Sequence, residues 1–143
     1  MNDFDTLEHG NDDLEPVERL VDALCERLAE VLPKSRFEVM VEHRHAVRVR
    51  GLGERRGDTV WITPIALWRS QLSVDERLQI FFEAASRRVQ EFVSRVDRPW
   101  PTAAAKPGVS IDKDKIRVWW GDPIEVDATA VALRPIYRSC VGL

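Results

Sequence analysis

Phe37-Glu-Val-Met-Val-Glu-His-Arg-His-Ala-Val-Arg-Val-Arg50 is the stretch that decides the fold. Phe37, Val39 and Val41 alternate with Glu38, Met40 and Glu42, and Val47 and Val49 alternate with Arg48 and Arg50. A period of two belongs to strands with one buried face, because successive side chains point to opposite sides of the pleat. Setting Val39 opposite Val49 and Val41 opposite Val47 keeps every apolar side chain on one face and leaves His43, Arg44 and His45 as the loop. A slip of one residue would set Val39 against Arg48 and send half of the apolar set into water, so the odd loop length is required. The same register places Glu38 across from Arg50 on the wet face, a pair contributing at most about 1 kcal/mol.

A hairpin with one greasy face needs a partner layer, and the flanking segments supply two. Upstream, Val17, Leu20, Val21, Leu24, Leu28, Val31 and Leu32 recur at steps of three and four, the spacing of a helix with one buried stripe. Pro16 suits its first turn, Asp12 or Asp13 its cap, and Pro33 follows its end. Downstream, Gly51 to Gly57 forms a loop and Thr59 to Thr63 a third strand that stops at Pro64, while residues 65–72 carry no clear period. Ser73 and Glu76 form a capping box. Val74, Leu78, Phe81, Phe82, Ala85, Val89, Phe92, Val93 and Val96 then mark a helix of about six turns. Its outer face carries Glu83 with Arg87 and Glu91 with Arg95 at helical spacing.

Pro99, Pro101 and Pro107 make residues 99–108 a stiff connector that cannot propagate a helix. Beyond it come a short strand at Val109 and Ile111, a turn from Asp112 to Lys115, a strand from Ile116 to Trp120 and a third from Thr129 to Ile136. The expected fold is therefore α+β in the order α-β-β-β-α-β-β-β, mainly antiparallel, with the two amphipathic helices packed on one face of a sheet. Residues 1–13 read as a flexible acidic tail, residues 14–138 as one domain and residues 139–143 as a fraying terminus. Val47-Arg48-Val49 resembles Ile116-Arg117-Val118, and Ile62-Thr-Pro-Ile65 resembles Leu133-Arg-Pro-Ile136, which suggests two α-β-β-β repeats over residues 14–68 and 73–137. β-propensity alone also selects valine, isoleucine and arginine, so the recurrence has a second explanation.

Composition bounds the function. The 143 residues carry a net charge of −3, but unevenly. Residues 1–15 hold six acids and no lysine or arginine, whereas residues 36–57 hold six arginines and three acids. A pI near 5.7 weighs against a phosphate-backbone binder. Two cysteines, Cys25 and Cys140, are too few for a disulfide framework, and no run approaches the roughly 20 apolar residues that span a bilayer. Seventeen arginines against four lysines suggest a GC-rich, bacterial genome. The expectation is a cytoplasmic protein with reduced thiols and no membrane association.

Catalytic and cofactor chemistry finds little to work with. His43 and His45 lack a third ligand at a recognisable spacing, so no metal is expected. Cys25 sits at the edge of an apolar stripe and reads as a small hydrophobe, and Cys140 as incidental. Gly51, Gly53 and Gly57 beside Arg55 and Arg56 join two strands, whereas a phosphate loop runs into a helix whose amino end supplies the amides. Asp112 with Asp114, and Asp75 with Glu76, read as turn and cap residues and not as an acid and base in different environments. The expectation is a non-enzyme without cofactor.

Binding chemistry is better represented. Trp119 and Trp120 are adjacent in a strand and must point to opposite faces. With Ile116, Val118 and Trp120 turned to the core, Arg117 and Trp119 take the other side, and tryptophan beside arginine is the composition of an interface hot spot. Trp100 in the connector is expected nearby, giving Trp119, Arg117 and Trp100 as the partner-binding residues. Coverage of Trp119 by a loop, the connector or a second subunit is the competing reading. The leading expectation is thus a protein-binding, adaptor or chaperone-like module acting on a protein partner or on itself as a homodimer. The alternative is nucleic-acid binding by the arginine-rich first hairpin, through Arg44, Arg48, Arg50, Arg55 and Arg56. The first five elements follow the order of a double-stranded-RNA-binding domain, but the start of the second helix reads Ser73-Val-Asp-Glu and lacks the lysines that grip phosphate there. The order also resembles secretion-chaperone-like proteins, an analogy of architecture that assigns no family.

Overall fold

The computed structural model describes residues 3–53, 58–102, 105–121 and 130–143. Its elements run α1 (Asp3–Val31), β1 (Phe37–Glu42), β2 (Ala46–Gly51), β3 (Thr59–Ile62), α2 (Ile65–Trp68), α3 (Val74–Val96), β4 (Pro107–Ile111), β5 (Lys115–Trp120), β6 (Val131–Ala132), β7 (Ile136–Tyr137) and α4 (Arg138–Val141). The fold is α+β with antiparallel sheets, as the periodicities require.

Helix α1 departs from the expected start. It reaches back to Asp3 and contains Pro16, so residues 3–13 form helix where a flexible tail was expected. Acidic residues favour a helix amino end, whose free amides carry partial positive charge, and the proline forgoes a single backbone bond. Helix α3 begins where the capping box requires: the Glu76 amide donates to Ser73 Oγ at 3.2 Å, and Ser73 N donates to Glu76 Oε1 at 3.4 Å. The expected ion pairs on its outer face are replaced. Glu83 accepts from Gln79 Nε2 at 2.7 Å, and the Arg95 guanidinium lies 5.6 Å from the centre of the Phe92 ring.

The first hairpin has the register its valines demand: Val39 pairs with Val49, Val41 with Val47, Glu38 with Arg50, and His43 to His45 form the loop. His43 and Arg44 turn the chain with positive φ, of 53° and 66°. The strands divide between two sheets, β1-β2-β3 and a second built on β5 with β4 on one side and β6 and β7 on the other. Their registers correspond. Met40 faces Arg48 as Ser110 faces Arg117, and Val39 faces Val49 as Val109 faces Val118.

The third strands differ, which shifts the repeat from its expected alignment. Ile62 pairs with Val47 and Ile136 pairs with Ile116, so Ile136, not Leu133, takes the place of Ile62. Leu133 N donates to Val118 O at 2.9 Å, opposite the residue equivalent to Val49. Val49 faces Val60, with one residue before Ile62, whereas two residues, Arg134 and Pro135, separate Leu133 from Ile136. The extra residue bulges and splits the expected single strand into β6 and β7. Buried Arg27 of α1 accounts for it: Nε donates to Arg134 O at 2.9 Å and Nη2 to Pro135 O at 3.2 Å, satisfying carbonyls that the ladder leaves free. Arg134 in turn reaches Glu26 and Glu30 on α1, at 2.6 and 2.9 Å.

Both helices and both sheets share one core. Leu20, Leu24 and Leu28 of α1 join Leu78, Phe82 and Val89 of α3, over Val47, Val49 and Ile62 of one sheet and Ile116, Val118 and Trp120 of the other. The chain ends on a short helix. Helix α4 buries Val141, and Gly142 ends it with φ 75°, the left-handed conformation that glycine adopts without strain.

Candidate partner-binding face

Strand β5 positions the candidate site through its alternation. Ile116, Val118 and Trp120 are buried against the helices, so Lys115, Arg117 and Trp119 occupy the opposite face. Trp120 is fixed from beneath. Its Nε1 donates to Ser86 O of α3 at 2.9 Å, and its ring lies 4.9 Å from that of Trp100. The turn before β5 is anchored by buried Arg138, which donates to Asp112 O at 2.8 Å and to Asp75 Oδ1 at the start of α3 at 2.7 Å. The Asp112 carboxyl is held below its ordinary value by the amides of Asp114 and Lys115, 2.8 and 2.9 Å away, and is committed to the turn.

On the outer face, cross-strand pairing determines the neighbours. Trp119 lies between Gly108 of β4 and Ala132 of β6, Arg117 faces Ser110, and Lys115 faces Tyr137. The indole of Trp119 is laid over Gly108: a Cβ at that position would come within 2.3 Å of Cε2 and 2.4 Å of Nε1. Glycine there admits the ring, and the ring covers backbone that glycine leaves bare. Trp119 is thereby half-buried by its own sheet. Arg117 is exposed, as is Tyr137 at 51%. Among the described residues, Arg117 has no ion-pair partner and Trp119 Nε1 no acceptor, in contrast to Trp120 Nε1.

Trp100 does not join this pair. It packs on Trp120, on the helix side of the sheet, with its amide donating to Ser94 Oγ of α3 at 3.0 Å. The connector turns inward because Gln90 of α3 donates to Ala105 O at 2.7 Å, a constraint that proline spacing does not encode. Tyr137 was missed because its strand was expected to end at Ile136, and the bulge carries the pairing one residue further.

The first hairpin presents a different surface. Met40, Arg48 and Trp61 form a row across the outer face of β1-β2-β3, with Trp61 49% and Met40 40% exposed. The alternation of Thr59–Ile62 with Ile62 inside is the signal that places Trp61 outside. Arg48 faces Glu42 at 3.4 Å and Glu38 at 3.6 Å, Arg50 faces Glu38 at 3.1 Å, and Trp61 Nε1 donates to Glu42. Of the five arginines considered for nucleic acid, Arg48 and Arg50 thus carry their own counterions, Arg44 is exposed, and Arg55 and Arg56 lie outside the described residues. His45 Nε2 is 3.4 Å from Glu18 of α1, away from exposed His43. The half-buried Cys25 thiol is pushed up by burial, then by Asp22 and Glu26. A groove of about 560 Å³ beside Phe37 has its charged groups, Arg36 and Asp97, paired at 2.6 Å. No described helix is long and apolar enough to cross a membrane.

Neither family models nor curated proteins nor solved structures give a match to this chain.

Proposed function

We propose that this protein is a non-catalytic binding module of adaptor or chaperone type, which docks a protein partner on the outer face of the β4–β7 sheet in a cytoplasmic setting. The observation that carries the reading is the juxtaposition of Arg117, with no ion-pair partner among the described residues, and Trp119, whose indole N–H has no acceptor among them, beside the small residues Gly108, Ser110 and Ala132. Tryptophan, tyrosine and arginine dominate binding energy at interfaces, the aromatic rings by burying large area with few rotatable bonds and the guanidinium by its fork of five hydrogen-bond donors. Small neighbours leave the indole accessible from above.

Pull-down from the native host with Trp119→Ala, Arg117→Glu and, as a control on the other sheet, Trp61→Ala tests the reading. Loss of a captured partner in the first two variants and its retention in the third is expected, with a weakening of roughly 30-fold or more for a central tryptophan. Identical captured proteins and an identical solution mass for wild type and Trp119→Ala would refute it. A partner that turns out to be the chain itself appears in that mass measurement. Nucleic acid is the weaker reading, since Glu38 and Glu42 already neutralise Arg48 and Arg50.

A further inference from the structure

Strand β4 is an edge with only β5 beside it, and its free backbone groups follow from the ladder. Gly121 N donates to Lys106 O at 3.0 Å, and Asp112 N to Lys115 O at 3.1 Å. Hydrogen-bonded pairs alternate along an antiparallel ladder, so Gly108 and Ser110 also bond inward to β5. Pro107, Val109 and Ile111 then direct their carbonyls, and Val109 and Ile111 their N–H groups, to the open side. Among the described residues nothing bonds to them. Edges of this kind are normally protected by charge, by proline or by a covering element. Strand β1 carries Glu38 and Glu42 beside its own edge, whereas β4 has Pro107 at its start and α3 alongside, and no charge from Gly108 to Ile111.

The outer face extends the edge. Gly108 and Ser110 are the residues between the open side and the long side chains of β5, and the Trp119 indole already lies over Gly108. Arg117 has only the Ser110 side chain between it and the edge. A groove of about 280 Å³, lined by Glu83, Ser86 and Arg87 of α3 with Pro107, Gly108 and Val109, runs along the same strand. Lys106 before β4, Lys113 in the turn after it, and Lys115 and Arg117 on β5 have no ion-pair partners among the described residues; of the acids nearby, Asp112 is committed to its turn, Asp114 lies beside Lys113 and Lys115, and Glu83 lines the groove with Arg87.

We propose that β4 accepts an extended acidic peptide segment of the partner as an added strand, with a carboxylate meeting Arg117 across Ser110 and an apolar side chain resting on Trp119 across Gly108. This rests on the partner-binding reading above and names its chemistry. Main-chain bonds to Val109 and Ile111 supply affinity, and alternate side chains supply selectivity. A second copy would bring the same four cations to the seam, which favours an acidic partner over self-pairing.

The probe is a fluorescein-labelled decapeptide of alternating valine and threonine in which one threonine is replaced by aspartate and the threonine two residues away by valine, so that both lie on one face, alongside the same peptide with lysine in place of the aspartate. The aspartate peptide binds and slows amide exchange at Val109 and Ile111, and the lysine peptide binds at least tenfold more weakly. Arg117→Glu inverts that preference. N-methylation of the peptide amides in the phase facing β4 abolishes binding, and in the other phase does not, a comparison that leaves the protein unaltered. Equal binding of both peptides, no binding of the aspartate peptide at millimolar concentration, or indifference to N-methyl phase would overturn the proposal. Peptide contact that shifts the Trp119 indole resonance without protecting Val109 and Ile111 would sink the edge and keep the face. Protection of those amides in a peptide-free dimer would identify a second copy as the occupant.

Discussion

Substituting Gly108 by alanine sets two opposed effects against each other at the centre of the candidate face. The backbone at Gly108 does not require glycine, so alanine gains about 0.5–1 kcal/mol from the reduced freedom of the unfolded chain. Its methyl would sit 2.3 Å from Trp119 Cε2, where ordinary contact begins near 3.4 Å. The ring must retreat by about 1 Å or leave the strand, and such overpacking typically costs about 1–3 kcal/mol. The net expectation is destabilisation of about 1 kcal/mol with Trp119 present. With Trp119→Ala the same substitution becomes stabilising by the unopposed gain, a change of sign that a double-mutant cycle reads as coupling of at least about 1 kcal/mol. Urea unfolding of the four proteins, with the Trp119 indole N–H resonance followed by NMR, gives both quantities. Equal effects of Gly108→Ala in the two backgrounds would refute the placement of the indole, and with it the geometry on which the face and the edge depend.

Arg27→Met keeps much of the side-chain volume but leaves the carbonyls of Arg134 and Pro135 without their donor, which should cost about 3 kcal/mol in chemical denaturation. Arg27→Lys should recover only part, since one ammonium cannot reproduce the guanidinium fork. Ser73→Ala removes the hydroxyl that accepts from the Glu76 amide, leaves the backbone amide of the cap free to donate to Glu76, and should cost about 1 kcal/mol, visible as earlier amide exchange in the first turn of α3. Asp112 has its folded-state value depressed, chiefly by the amides of Asp114 and Lys115, so its contribution is present above the ordinary carboxylate range and is lost as pH falls through the folded value. Asp112→Asn should accordingly flatten the acid limb of stability against pH, and an unchanged limb would contradict the turn.

Much of the fold was legible because amphipathic periodicity is a local property. Val39, Val41, Val47 and Val49 admit one register, and the loop from His43 to His45 follows from it. The two helices declare themselves by stripes at three- and four-residue steps, and α3 by its cap. The opposed orientations of Trp119 and Trp120 also follow from alternation alone, which is why half of the candidate site was readable. Trp100 was not, because its direction depends on Gln90 and Ser94 catching the connector. Tyr137 was hidden for the same reason at longer range: its pairing depends on a bulge that Arg27, more than a hundred residues earlier, completes.

By itself, then, the sequence determined which side of each long strand meets oil and which meets water, since hydrophobic burial acts on every residue independently of its distant neighbours. Only the tertiary structure decided that the strands divide into two sheets, that Arg48 and Arg50 meet Glu38 and Glu42 while Arg117 has no ion-pair partner among the described residues, and that a glycine one strand away receives Trp119. Those outcomes depend on hydrogen bonds and contacts between residues far apart in the chain, where geometry, and not composition, selects the partner.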